Sequence, residues 1–127
     1  MGACYSTEFK LKFKPNGGLT EATEKLNEYF VNELKCERRK SVYDLLVYLL
    51  SRDKWSPNVM IIYDGSTGYI IVSNDYNHLY MHEEVLQDVF EVMAPFLENG
   101  SYVYISPDND WYKMTIINGE VDYDTNR

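Results

Sequence analysis

Residues 4–14 alternate cleanly between two faces, and that run constrains the fold more than any other. Tyr5, Thr7, Phe9, Leu11 and Phe13 fall on one face, and Ser6, Glu8, Lys10, Lys12 and Lys14 on the other. A period of two requires an extended strand with one buried and one wet face. The rest of the chain must therefore supply strands to pair with it and a layer to cover one side. Pro15-Asn16-Gly17-Gly18 ends the strand.

The period then changes. Leu19, Ala22, Leu26, Tyr29, Phe30 and Leu34 recur at helical spacing, which predicts a helix capped by Thr20. Lys35, Arg38, Arg39 and Lys40 follow, and cations suit the exposed carbonyls of a last turn. Ser41 and Asp44 read as a short capping box for a second helix, whose apolar residues are Val42, Leu45, Leu46, Leu49 and Leu50. Trp55-Ser56-Pro57-Asn58 breaks it. Two strand-like runs, Val59–Tyr63 and Tyr69–Ser73, flank the hairpin loop Asp64-Gly65-Ser66-Thr67-Gly68. A third helix is expected from about His82 to Leu97, with Pro95 kinking or tightening its end and Asn99-Gly100 stopping it. The remainder reads as a meander of Ser101–Ser106, Trp111–Ile117 and Glu120–Asp124, its second turn made by Asn118-Gly119. The order βααββαβββ predicts one α+β domain over 1–127, with a largely antiparallel sheet packed with three helices.

Charge separates the two halves. Residues 1–54 carry ten Lys/Arg and eight Asp/Glu; residues 55–127 carry two Lys/Arg and twelve Asp/Glu, with eight of the twelve tyrosines. A net charge of −8 repels nucleic-acid phosphates, so direct binding of duplex DNA is not expected. Lys10, Lys12, Lys14, Lys35, Arg38, Arg39 and Lys40 could gather into a basic patch, but a lysine-protected strand edge and a charge-matched helix end account for them. No apolar run approaches the roughly 20 residues of a membrane span, and the N-terminus has no signal-peptide pattern. Met1-Gly2 with Ser6 fits a myristoylation signal, yet the same residues lead into the first strand. Cys4 and Cys36 form no CxxC pair and read as reduced thiols. A cytoplasmic protein is the expectation.

Motifs for chemistry are absent or incomplete. His78 and His82 stand one helical turn apart, but Leu79 occupies the place of the zincin glutamate, and an exposed helix start explains the segment. Asp108-Asn109-Asp110 lacks the glycine and the distant glutamate of a calcium loop. Asp64–Gly68 lacks the lysine of a phosphate loop, and Ser66 lacks the context of a nucleophile elbow. Asp122 and Asp124 lack a partner motif for acid–base work. No catalytic residue, cofactor or metal site is expected.

A Tyr-rich acidic surface suits contact with a basic partner. Tyr102, Tyr104, Trp111, Tyr112 and Tyr123 lie on the meander, about half of them facing the core. The expected partner-binding residues are Asp108, Asp110, Trp111, Tyr112, Asp122, Tyr123 and Asp124.

Two stretches carry a resemblance. Met1-Gly2-Ala3-Cys4-Tyr5 runs into the first strand, and Asp88-Val89-Phe90-Glu91-Val92-Met93-Ala94-Pro95-Phe96-Leu97-Glu98-Asn99-Gly100-Ser101 runs into Tyr104-Ile105-Ser106-Pro107-Asp108. This pattern of core and turn residues is similar to a group of small uncharacterised proteins from phages and mobile elements of low-GC Gram-positive bacteria. The resemblance implies an accessory protein that binds and blocks a host protein, as anti-CRISPR and other anti-defence proteins do, some of them as DNA mimics. The expected function is non-enzymatic inhibition of a basic, nucleic-acid-binding host defence protein, such as a CRISPR effector. Alternatives are a structural or assembly protein that self-associates through its sheet as a homodimer, and a minor hydrolase using His78, His82 and nearby carboxylates.

Overall fold

The computed structural model describes residues 5–51, 59–64, 68–73, 82–107 and 110–126. The elements run β1 (Tyr5–Lys12), α1 (Gly18–Asn32), α2 (Val42–Ser51), β2 (Val59–Asp64), β3 (Gly68–Ser73), α3 (His82–Met93), a 3-10 turn (Ala94–Phe96), β4 (Tyr102–Pro107), β5 (Tyr112–Ile117) and β6 (Glu120–Thr125). This is the expected α+β order. All strands join one antiparallel sheet in the order β2-β3-β1-β4-β5-β6.

The opening strand sits at the centre. Phe9 pairs across to Ile71 on one side and Val103 on the other. Thr7, Phe9, Leu11 and Phe13 are buried, while Lys10, Lys12 and Lys14 are exposed. The helices cover one face of the sheet. Phe9, Leu11, Val103, Ile105, Met114 and Ile116 from the strands meet Leu26 and Phe30 of α1, Leu45, Leu46 and Leu49 of α2, and Leu86, Phe90 and Met93 of α3 in one core.

The termini of the elements differ from expectation where local geometry overrides propensity. Helix α1 starts at Gly18, before Thr20. Asn16 and Gly17 both take left-handed φ, 65° and 99°, and swing the chain back over the end of β1. A Cβ on Gly18 would lie 3.1 Å from the Phe96 carbonyl oxygen and 3.2 Å from the Lys14 Cβ, so the smallest residue stands where the turn is tightest. The helix also ends at Asn32, before the basic run. Lys35 takes a left-handed φ of 56°, and the Cys36 N–H donates to the Phe30 carbonyl at 2.9 Å. Of the expected C-terminal cations, Lys35 does reach back, its Nζ donating to the Asn32 carbonyl at 2.8 Å. The capping of α2 is as expected: the Asp44 N–H donates to Ser41 Oγ at 3.1 Å. Pro95 tightens the end of α3 into the 3-10 turn.

The chain leaving that turn is stitched to the end of β1. The Lys14 N–H donates to the Phe96 carbonyl at 2.9 Å, and the Glu98 N–H donates to the Lys12 carbonyl at 2.7 Å. Buried Ser101 continues the seam, its Oγ accepting from the Lys12 N–H at 3.0 Å. Asn118 and Gly119, with φ of 52° and 80°, turn β5 into β6 by a two-residue hairpin whose twist matches the strands. Among the described residues, no helix is long and apolar enough to cross a membrane.

Candidate functional site

The expected partner-binding residues do not share one surface. Tyr112 is only 9% exposed and belongs to the core, which corrects its assignment as a contact residue. Asp122 and Asp124 pair across to Thr115 and Lys113 on the face away from the helices. Tyr123 pairs with buried Met114, so strand alternation sends it to the helix side. Trp111 is half-buried and stacks on Tyr104, with centroids 6.0 Å apart. Asp110 is exposed just before β5, and its carbonyl accepts from Ser106 Oγ at 2.9 Å. Asp108 lies outside the described residues.

Tyr123 points to a different acidic surface. Helices α1 and α3 pack side by side, and β6, an edge strand of the sheet, reaches α3 through the Tyr123 hydroxyl. The Tyr29 hydroxyl on α1 donates to Asp88 Oδ2 on α3 at 3.2 Å. One turn further along α3, the Glu91 carboxylate accepts from the Tyr123 hydroxyl. The two carboxylates are thus held by phenols from two different elements, α1 and β6. Glu33 and Glu84 line the same groove, Leu34, Val85 and Val92 contribute apolar surface to it, and among the described residues no lysine or arginine lines it.

The tyrosines register this field. Burial, followed by the Asp88 charge and hydrogen bond and then Glu33, pushes the Tyr29 phenol up to about 12. The Glu91 hydrogen bond, followed by burial and the charges of Glu91 and Asp88, pushes the Tyr123 phenol up to about 12. A phenol that ionises near 10 in the unfolded chain and near 12 in the folded one stabilises the fold fully below pH 10. That contribution disappears as pH rises from 10 through 12. Denaturant unfolding of Tyr29→Phe/Tyr123→Phe beside the native chain should show a stability gap at pH 9 that closes across this window. A gap constant from pH 9 to 12 would refute the tyrosine–carboxylate coupling.

The basic residues are divided as well. Lys10 and Lys12 lie on the sheet face away from the helices, whereas 35–40 form the loop between α1 and α2. Arg38 pairs with Glu24 at 2.5 Å, and the Arg39 guanidinium lies 4.0 Å over the Tyr48 ring. Cys36 is a free, half-buried thiol, its Sγ 3.4 Å from the Leu34 carbonyl. His78 is outside the described residues, and His82 is described only as the first residue of α3.

Sequence reasoning missed Tyr29, Glu33, Glu84, Asp88 and Glu91 as members of one surface. Their contacts span 59 positions in one case and 32 in the other, so no local pattern announces them. For Glu84, Asp88 and Glu91 the sign of the C-terminal half was the available signal. No family model, curated protein or solved structure matches the chain.

Proposed function

We propose that this chain is a non-enzymatic binding protein that engages a basic protein partner through the acidic, tyrosine-bearing face of α1, α3 and β6. The observation that carries this reading is the row Tyr29–Asp88 and Glu91–Tyr123, flanked by Glu33 and Glu84. Hydrogen bonds to phenols hold Asp88 and Glu91 in place before any partner arrives, which lowers the ordering cost of binding. The same bonds occupy the carboxylates, an arrangement suited to presenting charge rather than abstracting protons. Tyrosines set among acids offer rigid amphipathic area beside the charge. In its more concrete form the partner is a nucleic-acid-binding host defence protein, such as a CRISPR effector, whose phosphate-binding groove accepts the acids in place of DNA. That form draws support from the net charge of −8 and from the resemblance to phage and mobile-element proteins.

Affinity capture from a Gram-positive bacterial lysate at low salt identifies the partner, and association kinetics then test the surface. Glu84→Gln/Asp88→Asn/Glu91→Gln is expected to slow association about tenfold or more at low salt and to flatten its salt dependence. Tyr123→Ala is expected to act mainly on dissociation. An unchanged association rate across a salt series would mean that the acidic face serves solubility alone.

A further inference from the structure

The sheet face opposite the helices forms three cross-strand rows in the register of β1, β4, β5 and β6. Glu8, Tyr104, Lys113 and Asp124 make the first; Lys10, Tyr102, Thr115 and Asp122 make the second. Lys12, Ile117 and Glu120 belong to the third, next to the Asn118-Gly119 turn. Lys10, Lys12, Asp122 and Asp124 are exposed, and Ile117 is 48% exposed, so among the described residues nothing covers this part of the sheet. Its middle is aromatic: Trp111 stacks on Tyr104, and Lys113 Nζ lies 4.2 Å over the Tyr102 ring. Its sides are of opposite sign. β1 presents Glu8, Lys10 and Lys12, while β6 presents Glu120, Asp122 and Asp124.

We infer that this face binds a second copy of the chain, forming a twofold dimer of stacked sheets. Sheets stack about 10 Å apart with strand directions within about 30° of each other. A twofold axis between β4 and β5, parallel to the strands, lays β1 of one copy over β6 of the other. Lys10 then meets Asp122 of the second copy and Lys12 meets Glu120, and the symmetry makes each contact twice. The central tyrosines and Trp111 form the desolvated middle, and the charges form the rim. Glu8 falls opposite Asp124, a repulsion moderated by Lys113, the cross-strand neighbour of Asp124. The charge pattern is therefore complementary to itself, which neither a polyanion nor a uniformly basic protein would match. The exposed acids of edge strand β6 meanwhile disfavour edge-to-edge pairing along that strand. This dimer leaves the groove between α1 and α3 open, and it stands or falls independently of the proposed partner.

Sedimentation velocity over a concentration series tests it with charge swaps. The native chain should be a concentration-dependent dimer. Lys10→Glu/Lys12→Glu places acids against acids, and Glu120→Lys/Asp122→Lys places lysines against lysines. Each variant alone should raise the dimer dissociation constant about tenfold or more. An equimolar mixture should restore the dimer, because every rim contact then joins a lysine to an acid. All four changes in one chain should restore it as well, and Trp111→Ala should weaken it without changing its salt dependence. Circular dichroism verifies that each variant is folded, and the four-change chain and Trp111→Ala carry the test where a charge pair does not fold. A monomeric native chain at every concentration would overturn the inference. So would a mixture no more dimeric than its parts, or a single-stranded oligonucleotide that binds the face in place of the second copy.

Discussion

Phe9→Ala is expected to cost about 3–5 kcal/mol, the full penalty for emptying an aromatic site in a closed core. Phe9 is 0% exposed and sits on β1, which is bonded to β3 on one side and β4 on the other. A cavity there weakens the element on which both halves of the sheet are assembled. Folded domains are stable by only about 5–15 kcal/mol, so this single change removes a large share of the total. The neighbouring Lys10→Ala truncates an exposed side chain on the other face and should fall within about 0.5 kcal/mol of the native chain. Urea unfolding followed by circular dichroism measures both, at concentrations low enough for the chain to be monomeric, so that dimer contacts do not enter. Equal losses at Phe9 and Lys10 would mean that β1 does not separate a buried face from a wet one.

That contrast was legible in the sequence, since the strict alternation from Glu8 to Lys14 is the mark of a strand with one buried and one wet face. The central position of β1 was not, because nothing in an alternating run tells how many neighbours it will have. The Asn118-Gly119 turn was legible because few residue pairs accept two left-handed conformations in succession. The start of α1 was misread for a related reason. Thr20 has the better capping side chain, but the chain must first reverse over β1, and only Asn16 and Gly17 could make that reversal. At the candidate site, acidic charge and tyrosine content indicated a surface of the right chemistry. Its position depended on which way Tyr123 points and on α1 lying against α3, and both are tertiary facts. Tyr112 was misassigned because Trp111 and Tyr112 are adjacent aromatics, and composition cannot choose which of two neighbours faces inward.

Asn27 gives the second large effect, and it is a polar one. It lies on the buried face of α1 at 1% exposure, where helical periodicity calls for an apolar residue. Its side chain holds the backbone of the α1–α2 connection from both directions. Oδ1 accepts from the Arg39 N–H at 2.9 Å, and Nδ2 donates to the Arg39 carbonyl at 2.8 Å. An amide carries its acceptor and its donor on separate atoms, so it can bond the N–H and the carbonyl of one residue at once. Asn27→Ala removes both bonds and leaves a donor and an acceptor of Arg39 to find water, at a cost of about 2–4 kcal/mol. Asn27→Leu refills the volume without restoring either bond, so it should be nearly as costly as Ala and thereby separates hydrogen bonding from packing. Asn27→Asp keeps an acceptor for the N–H but sets a carboxylate against the carbonyl, and it too should lose stability. The loss should also be local before it is global. The Arg39 amide should exchange with solvent faster in Asn27→Leu than the amides of central strand β1, because the loop opens once its clamp is gone. An Asn27→Leu variant as stable as the native chain, with the Arg39 amide still protected, would show that packing around α1 and α2, and not the amide clamp, positions this connection.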